Sequence, residues 1–118
     1  MPKSFGRQER VAANVLREVA YLIQHEIKDP RVKNATVTEV SVSPDLKNAR
    51  IYVSFLTDSQ EAIDDAMKGL ESATGFVRSQ LAGRLKLRYM PKVEFVFDKL
   101  LKDSMRLDAL IAKGLNQD

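Results

Sequence analysis

Val11, Val15, Val19, Leu22, Ile23 and Ile27 recur at steps of three and four, and Asp29-Pro30 stops the pattern. This spacing places all six on one stripe of a helix over 8–28, a stripe that must lie against other apolar surface. Pro30 cannot donate the next helical hydrogen bond, and its ring disfavours helical backbone at Asp29, so the chain changes course there. Beyond it the apolar period drops to two. Segments 37–43 and 49–56 are β-branched and alternating, with Val40 and Val42, then Ile51, Val53 and Phe55, on the core faces. Pro44, Asp45 and Asn48 between them are turn residues, which predicts a hairpin.

Ser59 stands where it caps a second helix, with Glu61, Asp64 and Asp65 in its first turns and Ile63, Ala66, Met67 and Leu70 as its buried stripe to about 72. Ala73-Thr74-Gly75 then interrupts a helical pattern that continues through Phe76, Val77, Leu81 and Leu85 over 75–86. One glycine costs only ~1 kcal/mol in a helix, so a kink and a break both fit. Pro91 closes this element, and 93–98 reads as a strand with Val93, Phe95 and Phe97 on one side. A weaker helical pattern runs over 104–115 through Leu107, Leu110 and Ile111. The expected fold is therefore α+β, in the order α-β-β-α-(kink)-α-β with a C-terminal helical extension, its three-stranded sheet covered by helices. With 118 residues, 44% of them apolar and 30% charged, one domain is expected, its core over about 5–98 and its tail over 99–118.

Several function classes lack an anchor. Without cysteine there is no disulfide, zinc–thiolate cluster or thiol nucleophile. His25, the single histidine, has no partner four residues on, and Glu61, Asp64 and Asp65 sit where a helix macrodipole already favours carboxylates. No glycine-rich nucleotide motif or nucleophile elbow occurs. Neither catalytic residue, metal nor cofactor is expected. No segment is long and apolar enough to span a membrane, and the start has no signal-type apolar run, so a cytoplasmic, membrane-free protein is expected, monomeric by default.

A net charge of +3 argues only weakly for a nucleic-acid partner. Its distribution says more: 58–71 is mostly acidic, whereas Arg78, Arg84, Lys86, Arg88 and Lys92 follow with only Glu94 against them. A helix restarting at Gly75 would offer free N–H groups up to Val77 to a phosphate, with Arg78 one turn along and no side chain at Gly75 to block the approach. Arg7 and Arg10 add cations on the first helix. An ordinary solvated basic face accounts for these residues equally well. Tyr52 and Tyr89 are candidates for base stacking.

Taken together, Phe5-Gly6-Arg7 with Arg10-Val11, Glu26 through Arg31, Val42-Ser43 with Asp45-Leu46, Ala73 through Arg78, Leu87-Arg88 with Pro91, and Phe95 with Asp98 resemble a type II KH domain, and more closely the bacterial ribosome-binding factor A family. The resemblance covers nearly the whole chain. It implies a non-catalytic assembly factor that binds the immature 30S subunit and its 16S ribosomal RNA, assists late maturation and processing of the 16S precursor, and supports growth in the cold. It also implies that Ala73, Thr74 and Gly75 replace the Gly-x-x-Gly loop of ordinary KH domains as a helix kink. Arg78, Arg84, Lys86 and Arg88 would then meet phosphates, with Arg7 and Arg10 as a second contact. The competing reading is a protein–protein module of the ribosome, docking through the first helix and the Leu107, Leu110 and Ile111 stripe with an incidental basic face.

Overall fold

The computed structural model describes residues 6–99, so Phe5 and the expected C-terminal extension lie outside the described residues. Helix α1 is Arg7–His25, strand β1 Ala35–Val42, strand β2 Asn48–Phe55, helix α2 Gln60–Leu85 and strand β3 Lys92–Phe97, with a one-turn 3-10 helix at Pro30–Val32. The sheet has the order β1-β2-β3, antiparallel between β1 and β2 and parallel between β2 and β3. This is the expected α+β arrangement. Both helices pack on one face of the sheet, where Ala49, Ile51 and Val53 of the central strand are buried with Val15, Val19, Leu22, Leu70, Val77 and Leu81. On the other face Ser41, Asn48, Arg50 and Glu94 are exposed.

Helix α1 ends three residues before the predicted Lys28. The N–H groups of Glu26 and Ile27 both donate to the Leu22 carbonyl, at 2.8 and 2.9 Å, and this widened last turn carries Ile27 into the core. Pro30 then opens the 3-10 turn, with Asp29 as its cap. The Asp29 carboxylate accepts the Arg31 N–H at 2.9 Å and the Arg31 guanidinium through both oxygens. The Arg31 side chain, and then its N–H, hold the Asp29 carboxyl below the usual carboxylate range.

The alternation in β1 changes phase. Ala35 and Val37 lie an odd number of residues from Val40 and Val42, and an unbroken strand would turn one pair out to solvent. A bulge between Val37 and Glu39 absorbs the mismatch, so Val37 faces Val53, Val40 faces Ile51 and Ala35 faces Phe55. Thr38 is the extra residue, and its hydroxyl bonds Asp98 Oδ2 at 2.8 Å.

The expected interruption at Ala73-Thr74-Gly75 does not break the second helix, which runs as one element of 26 residues. Its stripe passes through the triplet without losing step: Ile63, Ala66 and Leu70 are buried, Ala73 and Thr74 half-buried, Val77 and Leu81 buried. Burial along this stripe outweighs the ~1 kcal/mol cost of one glycine. Thr74 Oγ1 donates to the Leu70 carbonyl at 3.0 Å, a back-bond associated with helix bending. Phe76, expected on the buried stripe, lies off it and is 43% exposed. Ser59 caps the helix as predicted, its hydroxyl accepting the Ala62 N–H at 3.2 Å.

Gly69, rather than Gly75, is the glycine that packing requires. A Cβ on Gly69 would stand 2.9 Å from Val32 Cγ1 and 3.1 Å from Asp29 Oδ2, whereas one on Gly75 would meet nothing within 4 Å. Val32 is fully buried and cannot yield. Overpacking of this kind costs ~1–3 kcal/mol against a helix-propensity gain of at most ~1. We therefore expect Gly69→Ala to destabilise the protein by ~1–2 kcal/mol and Gly75→Ala to stabilise it by up to ~1 kcal/mol, read from urea unfolding midpoints.

The Asp29 pair has a pH signature. Because the folded-state pKa is depressed below 3.8, the stabilisation is fully present above that value and is lost as pH falls through the folded pKa. Replacing Asp29 with asparagine should flatten the decline of the thermal midpoint below about pH 4. Parallel wild-type and variant curves across that window would show that the carboxylate contributes nothing.

Candidate nucleic-acid interface

The residues singled out from the sequence do not fall in one place. Ala73, Thr74 and Gly75 lie in the middle of α2, with Gly75 facing solvent. Since the helix is continuous, the N–H groups of Gly75, Phe76 and Val77 belong to helical backbone and form no free N-terminus for a phosphate. What Gly75 leaves is a smooth exposed surface bordered by Phe76.

Arg84 is committed to the fold. Its guanidinium lies 3.2 Å from Glu18 Oε1 and 3.8 Å from Glu26 Oε1 and stacks 5.2 Å above the Tyr21 ring, joining the end of α2 to α1. Arg78 is committed differently: Nε and Nη2 donate to the carbonyls of Pro91 and Met90, each at 3.2 Å. These bonds neutralise no charge, because carbonyls carry none, and they fix the connection from α2 to β3.

Lys86 is the C-cap of α2 and adopts left-handed backbone with φ 51°. At this position the chain leaves the helix axis, so Arg88 no longer continues the row begun by Arg78 and Arg84. It is delivered instead to a groove of about 340 Å³ lined by Arg7, Val11, Asp45, Leu46, Lys47, Leu87, Arg88, Tyr89 and Met90. Arg10 is exposed on α1 and does not line it.

Three segments distant in sequence build this groove. The first turn of α1 is anchored to the end of β1 by the Gln8 side-chain amide, which donates to the Val42 carbonyl. The β1–β2 turn is held by Ser43 Oγ donating to Asp45 Oδ1 at 2.7 Å, by the Lys47 N–H donating to the same oxygen at 3.0 Å, and by the Asn48 N–H donating to Ser43 Oγ at 3.0 Å. These donors lower the Asp45 carboxyl from its ordinary value, the Ser43 hydroxyl first and the Lys47 N–H second. Leu46 is left-handed, with φ 60°. The third wall, 87–90, is pinned by Arg78. Arg7, Lys47 and Arg88 thus line one groove with Asp45, whose carboxylate already accepts two hydrogen bonds. Lys47 was legible in the sequence only as a turn residue, and nothing in its spacing signals that it lines the same groove as Arg7.

Elsewhere, His25 packs on Tyr21, their ring centroids 4.6 Å apart, and Asp64 accepts a hydrogen bond from Gln60. Among the described residues no three His, Cys, Asp or Glu side chains are grouped as metal ligands, and no helix is long and apolar enough to cross a membrane.

The positions of Lys86 and Arg84 separate stability from charge. A left-handed lysine is strained where glycine is not, so Lys86→Gly should raise stability by ~0.5–1 kcal/mol although it removes a cation. Arg84→Ala should lower it by ~1 kcal/mol through loss of the ion pairs and the ring contact. Denaturant unfolding of the two variants checks both signs.

A family model described as ribosome-binding factor A matches residues 7–111. The ribosome-binding factor A of Shewanella loihica is 39% identical over 118 residues, covering 100% of this chain and 84% of that protein. Among solved structures, the crystal structure of ribosome-binding factor A from Thermus thermophilus superposes with a TM-score of 0.65 at 29% identity, covering 75% of this chain and 93% of that one. A homology model of the Thermus thermophilus factor, fitted into the cryo-EM map of a 30S complex, superposes with a TM-score of 0.59 at 30% identity, covering 71% of this chain and 87% of that one. A family match over nearly the whole chain, joined to this fold and this degree of identity, establishes that the protein belongs to the ribosome-binding factor A family.

Proposed function

We propose that this protein binds the 30S ribosomal subunit through 16S ribosomal RNA and acts in the cytoplasm as a non-catalytic, monomeric assembly factor. In this reading it works late in 30S maturation, promotes processing of the 16S precursor and supports growth in the cold. It needs no cofactor. Family membership carries the proposal, since the Thermus thermophilus relative has been fitted into a 30S complex.

The cationic edge formed by Arg7, Lys47 and Arg88, with Lys86 and Arg10 beside it, is the proposed phosphate contact. The exposed mid-helix surface at Ala73, Thr74 and Gly75 is a second approach for the RNA backbone. Arg78 and Arg84 serve this interface chiefly by positioning, one holding 90–91 and the other holding α2 to α1. Charge reversal at Arg84 would set a new carboxylate beside Glu18 and Glu26, so Arg7 and Arg88 are the cleaner probes.

Purified protein should co-sediment with free 30S subunits, and binding should weaken steeply between about 50 and 200 mM salt as phosphate contacts release counterions. Reversal of both Arg7 and Arg88 to glutamate should weaken binding about tenfold or more and reduce the salt slope by about two. Undiminished sedimentation of that double variant would point instead to a protein–protein contact.

A further inference from the structure

The groove between α1, the β1–β2 turn and the α2–β3 connection has more than charge. Tyr89 is 75% exposed, although it is a large aromatic at the mouth of a groove, and among the described residues its ring contact is the Arg88 guanidinium, 5.5 Å from the ring centroid. Tyr21, by comparison, is 46% exposed and has both His25 and Arg84 against its ring. The floor is apolar, formed by Val11, Leu46, Leu87 and Met90. Its volume of about 340 Å³ falls within the range of single-ligand clefts.

The backbone around the groove is also unusual. Of the two left-handed non-glycine residues among those described, Leu46 lies in its lining and Lys86 directly precedes the lining residue Leu87 in the chain. Left-handed backbone at a branched, apolar residue such as Leu46 is costly, and strain of this kind concentrates at binding sites. Here Leu46 is buried in part and Lys47, next in the chain, lines the groove that Arg7 also lines.

We propose that this groove takes one unpaired nucleotide of an RNA strand, its base stacked on Tyr89 and its flanking phosphates held by Arg7, Lys47 and Arg88. A flat apolar ring, an apolar floor and a rim of cations are what an unstacked nucleotide presents complements to: a base face, a sugar and a phosphate diester. A duplex offers no free base face, and an acidic peptide would leave the ring unused. The groove is lined by 87–90 of the α2–β3 connection and by α1 and the β1–β2 turn, and Gly75 is not among its lining residues. The proposal rests on the reading of the protein as a binder of small-subunit RNA, and it names the state of the RNA at this point.

The test uses the full chain and fluorescence anisotropy with a short labelled oligouridylate, single-stranded or paired with oligoadenylate, alongside 30S sedimentation. The single strand should bind, the duplex should bind at least about tenfold more weakly, and Tyr89→Ala should lose about tenfold for the single strand, as expected for one base–aromatic stack. Tyr89→Phe, which keeps the ring, should bind as wild type does, and ultraviolet crosslinking of uridine should map to Tyr89. Wild-type affinity in Tyr89→Ala, or equal binding of duplex and single strand, overturns the proposal. So does a wild-type protein that sediments with 30S subunits yet ignores the oligonucleotide; in that case ribosome binding stands and the nucleotide pocket falls. A wild-type protein that binds neither removes both.

Discussion

The close approach at Gly69 is the contact on which the rest of the arrangement depends. Helix α2 crosses the sheet as a rod of about 39 Å, 26 residues at ~1.5 Å each, and a rod is aimed by where its first half is held. Near that first half, Val32 and the Asp29–Arg31 pair come within van der Waals distance of a backbone that carries no side chain. This contact fixes the depth and roll of α2, and hence which residues form its buried stripe. The far end is then drawn onto α1 by Arg84, and the chain is released at Lys86 into the connection that Arg78 secures. The turn opened by Pro30 thus has two effects: it ends α1, and it provides the surface against which α2 is seated.

The strands and α1 were legible because each carries its own period and its own punctuation. The alternation in 49–55, the stop at Pro30 and the cap at Ser59 are local features, and the structure places elements accordingly. Only the bulge reconciles Ala35 and Val37 with Val40 and Val42, and the change of phase in the sequence is its visible trace. At 73–75 the local reading left a kink and a break open, and the break is excluded because the burial accumulated by the residues on either side outweighs the small cost of one glycine. The buried stripe runs from Ile63 to Leu81, and that longer pattern decides the outcome.

The cationic residues were legible as a class and illegible as a site. Arg78, Arg84, Lys86 and Arg88 form a near-regular row in sequence, yet they take three different employments. Arg84 has carboxylate partners on α1, Arg78 has carbonyl partners in the α2–β3 connection, and Lys86 and Arg88 stand beyond the point where the helix ends in a left-handed residue. Spacing describes neighbours along one element, whereas Arg7, Lys47 and Arg88 come from three elements and meet only through tertiary packing. Three of the fragments that carry the family resemblance supply Arg7, Val11, Asp45, Leu46, Leu87 and Arg88 to the same groove.

The parallel pairing of β2 with β3 has a consequence for the order in which the molecule is made. The hairpin of β1 and β2 closes locally, but β3 reaches the sheet only after the whole of α2 has been synthesised and laid across it. Until then the third wall of the groove is missing, and the nascent chain presents α1 and the hairpin with neither Arg88 nor Tyr89 beside them. A chain still emerging during translation therefore lacks the assembled cationic groove, which is complete only once β3 has joined the sheet. Closure of the hairpin and completion of the groove are in this way separated in time by topology alone.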